Sequence, residues 1–241
     1  MAEVVNESLV EERRVSKTFT RHRTDYRYVW SNPSYVFMMQ DVERRLLVLL
    51  AQHGVTSLNG RRILEIGCGT GNWLREFVKW GAHPRDVVGM DLLGERVSEA
   101  KALCAEGVRL FCGNATTLPV RTASFDLVAQ FTVFTSVLDT DLKRQIASEM
   151  IRVIKPDGLI LWYDFSFNNP KNLAVRGVSR KEIQQLFPGC SVGLRRITLA
   201  PPVTRRLASR SWLACSLLNA IPFLRTHVLA VIKKERVHLS R

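Results

Sequence analysis

Arg62-Ile63-Leu64-Glu65-Ile66-Gly67-Cys68-Gly69-Thr70-Gly71 is the stretch that decides the fold of this 241-residue chain. Its apolar first half is typical of a parallel strand that is covered on both faces. Glycine at alternate positions allows a sharp turn and leaves no Cβ between the backbone and a ligand. Apolar residues then recur at helical spacing over 72–78, so the glycines precede a helix. A strand, a tight glycine loop and a helix form the first unit of a nucleotide-binding fold.

Strands and helices alternate along the rest of the chain. The predicted strands after the glycine loop are 87–91, 108–112, 124–130, 159–165, 191–199 and 227–233. Helices are predicted at 95–104 and 140–153, and Lys155-Pro156-Asp157-Gly158 is predicted to be a turn. A capping box at Ser179–Glu182 predicts a further short helix. This alternation predicts an α/β fold with a doubly wound, mostly parallel sheet and helices on both faces.

We expect residues 1–241 to form a single domain, since this length is ordinary for one α/β core. The expected parts are an N-terminal arm (1–32), a leading helix (33–54), a cofactor-binding core (60–165) and an acceptor-side half (166–241) with an insertion at 200–226. The arm is polar and without a clear period, so we expect a loose arm or a frayed helix. Asn32 or Ser31 before Pro33 predicts the start of the leading helix, and Gly54 its end.

Aromatic residues are concentrated where the arm meets the leading helix. They are Tyr26, Tyr28, Trp30 and Tyr35. Two interpretations stay open. The cluster either attaches the arm to the domain or lines the entrance for cofactor or substrate.

Positive charge is concentrated in the last third of the chain. Residues 1–150 hold 19 Lys+Arg against 18 Asp+Glu, and residues 151–241 hold 16 against 4, so +12 of the net +13 lies in the second part. This imbalance favours an anionic partner, which is a phosphorylated substrate, a membrane surface or nucleic acid, unless it is only a basic surface.

The composition also indicates the compartment. We see no apolar run of about 18 residues, which a transmembrane helix requires, and residues 1–25 lack the apolar core of a secretory signal. The five cysteines are odd in number and never spaced as CxxC, which favours reduced thiols in a cytoplasmic protein over disulfides or a metal site. We therefore expect a cytoplasmic protein without a metal ion.

The glycine loop is shorter than the dinucleotide fingerprint, because position 72 is Asn. It leaves the backbone close to a ligand that lacks a pyrophosphate. Asp91 ends the next predicted strand, where a carboxylate can accept hydrogen bonds from both ribose hydroxyls. Asn114 and Ala115 follow the third strand and are placed to meet an adenine edge. Gln130 ends the fourth strand beside the expected crevice.

These segments resemble class I S-adenosylmethionine-dependent methyltransferases in order and spacing. The segments that carry the resemblance are Glu65–Gly71, Asp91, Asn114-Ala115, Phe125–Val128 and Ile154–Gly158. The resemblance covers about residues 60–165. It implies a Rossmann-like, seven-stranded sheet with an antiparallel last strand, and S-adenosylmethionine as the cofactor.

The resemblance also implies roles for individual residues. It places the three glycines of the loop around the methionine moiety, Asp91 on the ribose, Asn114 and Ala115 on adenine, and Glu65 behind the methionine amino group. Asn114 departs from the family, which often has Asp there, and an amide oxygen would give a neutral contact to the adenine amino group. The candidate cofactor-binding residues are Glu65, Gly67, Cys68, Gly69, Gly71, Asp91, Leu92, Asn114, Ala115 and Gln130.

Candidate catalytic residues follow from topology. Methyl transfer requires alignment and a dry site, and an alcohol acceptor also requires a base. Ligands lie at the carboxyl ends of parallel strands, where Asp164 ends the fifth strand, and His227 joins it if the last strand is antiparallel. We expect His227 to be the base and Asp164 to orient it or to be the base itself. The alternatives are a structural histidine, and an Asp164 that caps a loop toward Asn168 or Asn169. Candidate substrate-binding residues are Tyr163, Arg176 and Arg225.

The second half carries a narrower resemblance to bacterial methyltransferases associated with surface-polysaccharide and other glycan biosynthesis. Its segments are Trp162–Phe165, Asn168-Asn169-Pro170, Arg176–Val178, Leu199–Pro202 and Leu224–His227. It implies O-methylation of a sugar hydroxyl in a glycan, glycolipid or glycosylated metabolite. The alternatives are a natural-product or lipid acceptor, a nucleic acid, and a scaffold without activity. Nucleic acid is disfavoured because no Asp/Asn-Pro-Pro-Tyr type motif follows the fourth strand.

The insertion at 200–226 is longer than a hairpin needs. Arg205, Arg206 and Arg210 precede the apolar run Trp212–Leu224. We expect the insertion to lie over the active-site edge as a lid. Basic residues beside an apolar segment also suit a helix on the inner face of a membrane, and simple core packing is the third possibility.

Overall fold

The computed structural model describes residues 10–11, 13–17, 26, 29–168 and 172–235. Its strands are β1 (Ile63–Ile66), β2 (Val87–Asp91), β3 (Arg109–Cys112), β4 (Phe125–Phe131), β5 (Ile154–Phe165), β6 (Cys190–Leu199) and β7 (Arg225–Lys234). Its helices are α1 (Pro33–Gln52), α2 (Asn72–Lys79), α3 (Gly94–Leu103), α4 (Thr140–Val153), α5 (Arg180–Leu186), α6 (Pro201–Leu207) and α7 (Trp212–Ala220). The chain therefore alternates strands and helices as predicted.

The seven strands form one sheet in the order β3-β2-β1-β4-β5-β7-β6. β1 to β5 pair in parallel, whereas β7 is antiparallel to both β5 and β6. The predicted seven-stranded, Rossmann-like sheet with an antiparallel last strand is confirmed. Because β7 runs backwards, it begins at the edge where β1, β4 and β5 end.

Helices cover both faces of the sheet. α1 and α2 pack on one face, where Leu46 and Trp73 meet Tyr163 and Leu229 in one apolar cluster. α4 and α5 pack on the other face, where the strand side chains include Trp162. Since successive residues of a strand point to opposite faces, Tyr163 belongs to the α1 face, and its neighbours on β5 belong to the α4 face.

The helix starts follow from the predicted caps. The Asn32 side chain accepts a hydrogen bond from Ser34 N at 3.0 Å, and Pro33 occupies the first helical position of α1. At α5, Ser179 Oγ accepts from Glu182 N at 3.2 Å. The Glu182 carboxylate binds the Lys143 ammonium instead of returning to Ser179, so only half of the predicted capping box forms.

The predicted turn at 155–158 is wrong, because β5 already begins at Ile154 and continues to Phe165. Ile154 pairs with Phe125, and the register then shifts before Leu127 pairs with Leu159. Lys155 Nζ lies 2.9 Å from both carboxylate oxygens of Asp126, which holds the irregular start of β5 against β4. The segment is a distorted strand with a β-bulge type irregularity.

The insertion between β6 and β7 folds into α6, α7 and a short 3-10 turn, Pro222–Leu224. Its inner side packs against α1 and β6 through Phe37, Leu199, Ala208 and Cys215. A role as a lid stays a prediction. In the part of the chain that the structure describes, no helix has the length and apolar character needed to cross a bilayer.

Part of the predicted arm is helical and contacts the domain. Residues 13–17 are helical, and Leu138 N donates a hydrogen bond to Glu11 Oε1 at 2.6 Å. Arg14 pairs with Glu11 and donates to Ala174 O at 2.9 Å and to Ser136 O. Tyr28 and Asn169, which entered the sequence predictions, lie outside the described residues.

Candidate active site

A cleft of about 150 Å³ lies at the carboxyl edge of the central strands. Its walls include five of the predicted cofactor-binding residues, which are Gly67, Asp91, Leu92, Asn114 and Ala115. Residues of the loop after β4 and of the N-terminal segment complete the walls.

Gly67 is where the backbone turns away from β1 into the loop. Its φ of +68° is in the left-handed region, which favours glycine. A Cβ built at this position would lie 2.3 Å from Val133 Cγ2. Both the backbone conformation and the close approach of the loop after β4 therefore require glycine at a wall of the cleft.

Asp91 ends β2 and holds the glycine loop in place. Its Oδ2 accepts a hydrogen bond from Gly69 N at 2.8 Å, and its Oδ1 accepts from Leu93 N at 2.9 Å. Each carboxylate oxygen has a second lone pair, so Asp91 can still accept from a ligand hydroxyl. The carboxylate thus joins the two loops that follow β1 and β2 at the floor of the cleft.

Glu65 carries an unpaired buried oxygen. Its side chain is buried inside β1, and among the described residues its Oε2 has no hydrogen-bond partner. Burial, with a further contribution from the Asp91 carboxylate, raises the pKa of Glu65 well above its ordinary value. A buried carboxylate of this kind is costly unless a donor or a positive charge reaches it. Glu65 is not among the residues that line the cleft, and its expected contact with a bound amino group stays a prediction.

Asn114 and Ala115 lie beside the end of β3. Asn114 Oδ1 accepts a hydrogen bond from Thr116 N at 2.9 Å, which holds the side chain in a local turn. The expected contact to adenine stays a prediction.

Three further predicted cofactor-binding residues, Cys68, Gly71 and Gln130, are not among the residues that line the cleft. Gly71 is the N-cap of α2 with φ of +77°, and Cys68 is buried, which raises the pKa of its thiol. Gln130 is fully buried and uses both ends of its amide, since Val133 N donates to its Oε1 and its Nε2 donates to Tyr163 O. Its side chain fixes the ends of β4 and β5 to each other.

Asp164 and His227 do not form a pair, so the prediction that Asp164 orients His227 is wrong. His227 pairs across the strands with Phe165, and Asp164 pairs with Val228. This offset of one residue puts the two side chains on opposite faces of the sheet. His227 faces α1, whereas Asp164 faces α4.

Asp164 instead holds the loop that follows β4. Thr135 donates to its carboxylate from Oγ1 at 2.5 Å and from its backbone N at 3.2 Å. Burial raises the pKa of Asp164 to about 7, although these hydrogen bonds oppose the shift. The prediction that Asp164 caps a loop is met by Thr135 and not by Asn168, which binds Gly177 N. Thr132 and Ser136 of the same loop line the cleft, so Asp164 acts on the site through this loop.

His227 lies at the start of β7 in an aromatic row. Its ring stacks on Tyr163 with 5.1 Å between ring centroids, and Phe165 packs against it edge-on at 5.9 Å. Tyr163 lies 6.3 Å from Phe131, and Phe131 stacks on Trp73 at 4.2 Å. Burial lowers the pKa of His227 to about 4, so the imidazole is neutral at pH 7. The aromatic row therefore runs from Phe131, in the wall of the cleft, through Tyr163 to the neutral His227.

The three predicted substrate-binding residues are not brought together. Tyr163 is buried on the α1 face and its hydroxyl lies 3.0 Å from Thr198 Oγ1. Arg176 pairs with Glu182 at 2.7 Å on the α4 face. Arg225 donates to Asn219 O at 2.7 Å and to the carbonyl oxygen of the next residue at 3.1 Å, at the end of α7. Both guanidinium groups have structural partners, and their role toward a substrate stays a prediction.

A second cavity of about 180 Å³ lies between α1 and α2. Its lining residues are Trp30, Tyr35, Val36, Met39, Gln40, Glu43, Asn72, Trp73 and Glu76. Trp73 belongs to this cavity and stacks on Phe131, which belongs to the cleft, so one aromatic pair forms the wall between the two. Of the aromatic cluster around the arm, Trp30 and Tyr35 therefore line a cavity beside the site.

Several residues of the cleft were not among the sequence predictions. Arg96 of α3, the loop 132–137, and Glu11 and Val15 of the N-terminal segment all contribute to its walls. Thr132 has φ of +61°, which is unusual for a β-branched residue. No pattern in the neighbouring sequence predicts this backbone conformation. The position of the loop directly after β4 was the available signal, because ligands lie at the carboxyl ends of strands.

This combination of sheet order, glycine loop and acidic residue after β2 is that of the Rossmann-like methyltransferase fold. Residues 63–158 match a family described as "Methyltransferase domain". Within the described residues, no group of three or more His, Cys, Asp or Glu side chains could hold a metal ion.

Individual relatives are distant. The chain is 28% identical over 161 residues to a demethylmenaquinone methyltransferase of Lactococcus lactis subsp. lactis, covering 65% of this chain and 60% of that protein. It is 28% identical over 206 residues to the malonyl-[acyl-carrier protein] O-methyltransferase of Haemophilus ducreyi, covering 83% and 67%. Phosphoethanolamine N-methyltransferase 1 of Haemonchus contortus, solved with phosphoethanolamine and S-adenosylhomocysteine, shares the fold with a TM-score of 0.65 and 14% identity, over 95% of this chain and 50% of that one.

Proposed function

We propose that this protein transfers a methyl group from S-adenosylmethionine to a small, ring-bearing acceptor that binds in the cavity between α1 and α2. The observation that carries the proposal is the Trp73–Phe131 pair, which separates this cavity from the cleft with a ring spacing of 4.2 Å. In-line transfer needs the reacting atoms to approach to about 3–3.5 Å, so the proposal includes a displacement of this aromatic pair that joins the cleft and the cavity.

The residues of the cleft suit the cofactor. Gly67 leaves the backbone open to a ligand, Asp91 keeps free lone pairs for ribose hydroxyls, and the unpaired Glu65 Oε2 suits an amino group. When bound, S-adenosylmethionine supplies a methyl group on a sulfonium sulfur that a nucleophile displaces in line. The chain contributes by aligning the nucleophile with the methyl group and by excluding water. Exclusion of water is effective because the positive charge of the sulfonium is dispersed in the transition state.

The walls of the second cavity suit an acceptor with a flat ring system. Trp30, Tyr35 and Trp73 offer aromatic faces for stacking. A demethylmenaquinone methyltransferase among the relatives supports an apolar acceptor, since demethylmenaquinone is a quinone with an isoprenoid chain. An O-, N- or C-linked methyl group would each be compatible with alignment by these walls.

A sugar hydroxyl is the second candidate acceptor. It is favoured by the amide side chains of Gln40 and Asn72, which lie among the aromatic residues of the same cavity. Aromatic faces together with amides suit a sugar ring, which offers apolar C–H groups and hydroxyls. The relatives reported above do not include a glycan methyltransferase, so the first candidate is preferred.

His227 stays the candidate base for an acceptor that must lose a proton. It is neutral at pH 7 and can accept one, but its low pKa makes it a weaker base than free imidazole. This favours acceptors that are already acidic, such as phenols and quinols, over alcohols. The histidine lies on the same face of the sheet as Tyr163 and Trp73, which is the side of the proposed acceptor cavity.

The test is transfer of labelled methyl groups from S-adenosylmethionine to paired acceptors, each phenol or quinol with its own glycoside, and to nucleotide sugars. Transfer to the aglycones is the expected result, and transfer only to the sugars would overturn the preference in favour of the second candidate. Trp30→Ala should raise the acceptor KM. Trp212 is also exposed but lies outside this cavity, so Trp212→Ala should leave the acceptor KM unchanged. Binding of S-adenosylhomocysteine without transfer to any acceptor would contradict the proposed activity.

A further inference from the structure

We propose that the outer face of α6 and α7 is a docking surface for an anionic phospholipid membrane. We call it the α7 patch and define it by Arg205, Arg206, Arg210, Leu213, Leu217 and Phe223. Its members are all exposed. The patch lies in the connection from β6 to β7, which is at the same edge of the sheet as the cleft.

The apolar part of the patch is an unpartnered helix face. Leu213 and Leu217 are 70% and 64% exposed, and Phe223, in the turn after α7, is 76% exposed. Leu213 and Leu217 are four residues apart and therefore share one side of the helix. The opposite side, with Cys215 and Asn219, is already buried against the domain. Large apolar side chains concentrated on one outer face indicate an interaction site.

The positive charge beside this face indicates which partner binds the α7 patch. Residues 200–226 contain four arginines and no acidic residue, and three of the four belong to the patch. The fourth, Arg225, is occupied by carbonyl oxygens at the end of α7. A basic border next to exposed Leu and Phe is the pattern of a helix that lies in the interface of an anionic bilayer. Nucleic acid would contact the arginines, but it offers no apolar phase for the exposed leucine side chains.

The geometry permits docking on the surface only. α7 has nine residues, which at about 1.5 Å per residue is far too short to cross a bilayer of about 30 Å. Trp212 is 42% exposed and packs edge-on against Phe37 of α1 at 5.7 Å. This contact fixes α7 to the domain, so the patch is presented on a rigid support.

The test is co-sedimentation of the full chain with phosphatidylcholine vesicles that contain or lack phosphatidylglycerol. The full chain should bind the anionic vesicles and lose most binding to the neutral ones. The variant Arg205→Gln/Arg206→Gln/Arg210→Gln should lower partitioning about a hundredfold, which corresponds to about fivefold per arginine. The variant Leu213→Ser/Leu217→Ser/Phe223→Ser should lower it at least about tenfold.

Matched controls remove the same charge or the same apolar groups elsewhere on the surface. They are Lys101→Gln/Arg121→Gln/Lys181→Gln and Val48→Ser/Leu103→Ser/Leu173→Ser, and both should bind as the unchanged chain does. Affinity for S-adenosylhomocysteine should be the same in every variant, which shows that the fold is intact. If the apolar variant fails to fold, the arginine variant still decides.

Three results would overturn the proposal. They are no vesicle binding by the full chain, equal losses in the patch variants and their controls, and a concentration-dependent dimer in sedimentation equilibrium that the apolar variant abolishes. The dimer would show that a second copy occupies the patch. Vesicle binding is measured without cofactor or acceptor, so its failure is distinguishable from failure of the proposed methyl transfer.

Discussion

Replacing Gly67 with alanine should damage both the fold and the cleft. With φ of +68°, a non-glycine residue there costs about 1–2 kcal/mol. The new Cβ would lie 2.3 Å from Val133 Cγ2, and overpacking of this kind costs a further 1–3 kcal/mol or so. We therefore expect Gly67→Ala to lower the free energy of unfolding by about 2–5 kcal/mol.

Gly54→Ala is the matched control. Gly54 has φ of +77°, close to that of Gly67, but nothing lies within 4 Å of the Cβ that alanine would add. This variant should lose only the conformational part, about 1–2 kcal/mol. Urea unfolding followed by circular dichroism measures both losses, and their difference isolates the clash with Val133.

The same pair of variants tests the position of the cofactor. Both Gly67 and Val133 line the cleft, so a displaced Val133 side chain should weaken binding of S-adenosylhomocysteine at least about tenfold by calorimetry. Gly54→Ala should bind it as the unchanged chain does. Equal losses of stability in the two variants, together with equal affinities, would refute the structural argument for Gly67.

Three further predictions concern the acidic residues and the histidine. Asp91→Asn should weaken binding of S-adenosylhomocysteine by about 1.5–3 kcal/mol, measured by calorimetry, because it removes charged hydrogen bonds, and an unchanged affinity would exclude the ribose contact. His227→Gln should lower kcat by about 10²–10⁴ without changing cofactor affinity, and a kcat that stays the same would remove His227 from the mechanism. The raised pKa of Asp164, about 7, makes stability fall as pH rises from the unfolded value near 4 to about 7. The unfolding free energy of Asp164→Asn minus that of the unchanged chain should therefore increase by about 3 kcal/mol from pH 5 to pH 8. A difference that does not depend on pH would contradict the raised pKa of Asp164.

The cofactor half could be predicted because its signals are local. Gly67 and Asp91 are each encoded within one strand and the loop after it, and the rule that ligands lie at carboxyl ends of parallel strands brings them together. The glycine loop needs no knowledge of distant contacts to be recognised. The close contact that a Cβ at position 67 would make with Val133 could not be predicted, since it depends on how a loop 66 positions later in the chain packs.

The acceptor half was harder because it depends on register. Both Asp164 and His227 were placed at the correct edge, but a shift of one residue between β5 and β7 decides which face each occupies. The sequence of either strand alone does not state that register. Arg176 and Arg225 bind partners only six positions away, the Glu182 carboxylate and the Asn219 carbonyl oxygen, and the sequence did not indicate that these local partners occupy the guanidinium groups.

The N-terminal segment shows a third kind of limit. Its polar, aperiodic sequence predicts a loose arm or a frayed helix, and it does not predict that Glu11 binds Leu138 or that Arg14 binds Ala174. These contacts join residues more than 120 positions apart and involve single side chains. Hydrophobic periodicity carries no information about them, which is why part of the wall of the cleft was missed.

The most direct test of the central claim is a crystal structure of the full chain with S-adenosylhomocysteine. We expect the ligand in the cleft, with the ribose hydroxyls on Asp91, the adenine beside Ala115 and the amino group within hydrogen-bond distance of Glu65. A ligand elsewhere on the chain, or one in the cleft with its ribose away from Asp91, would contradict it.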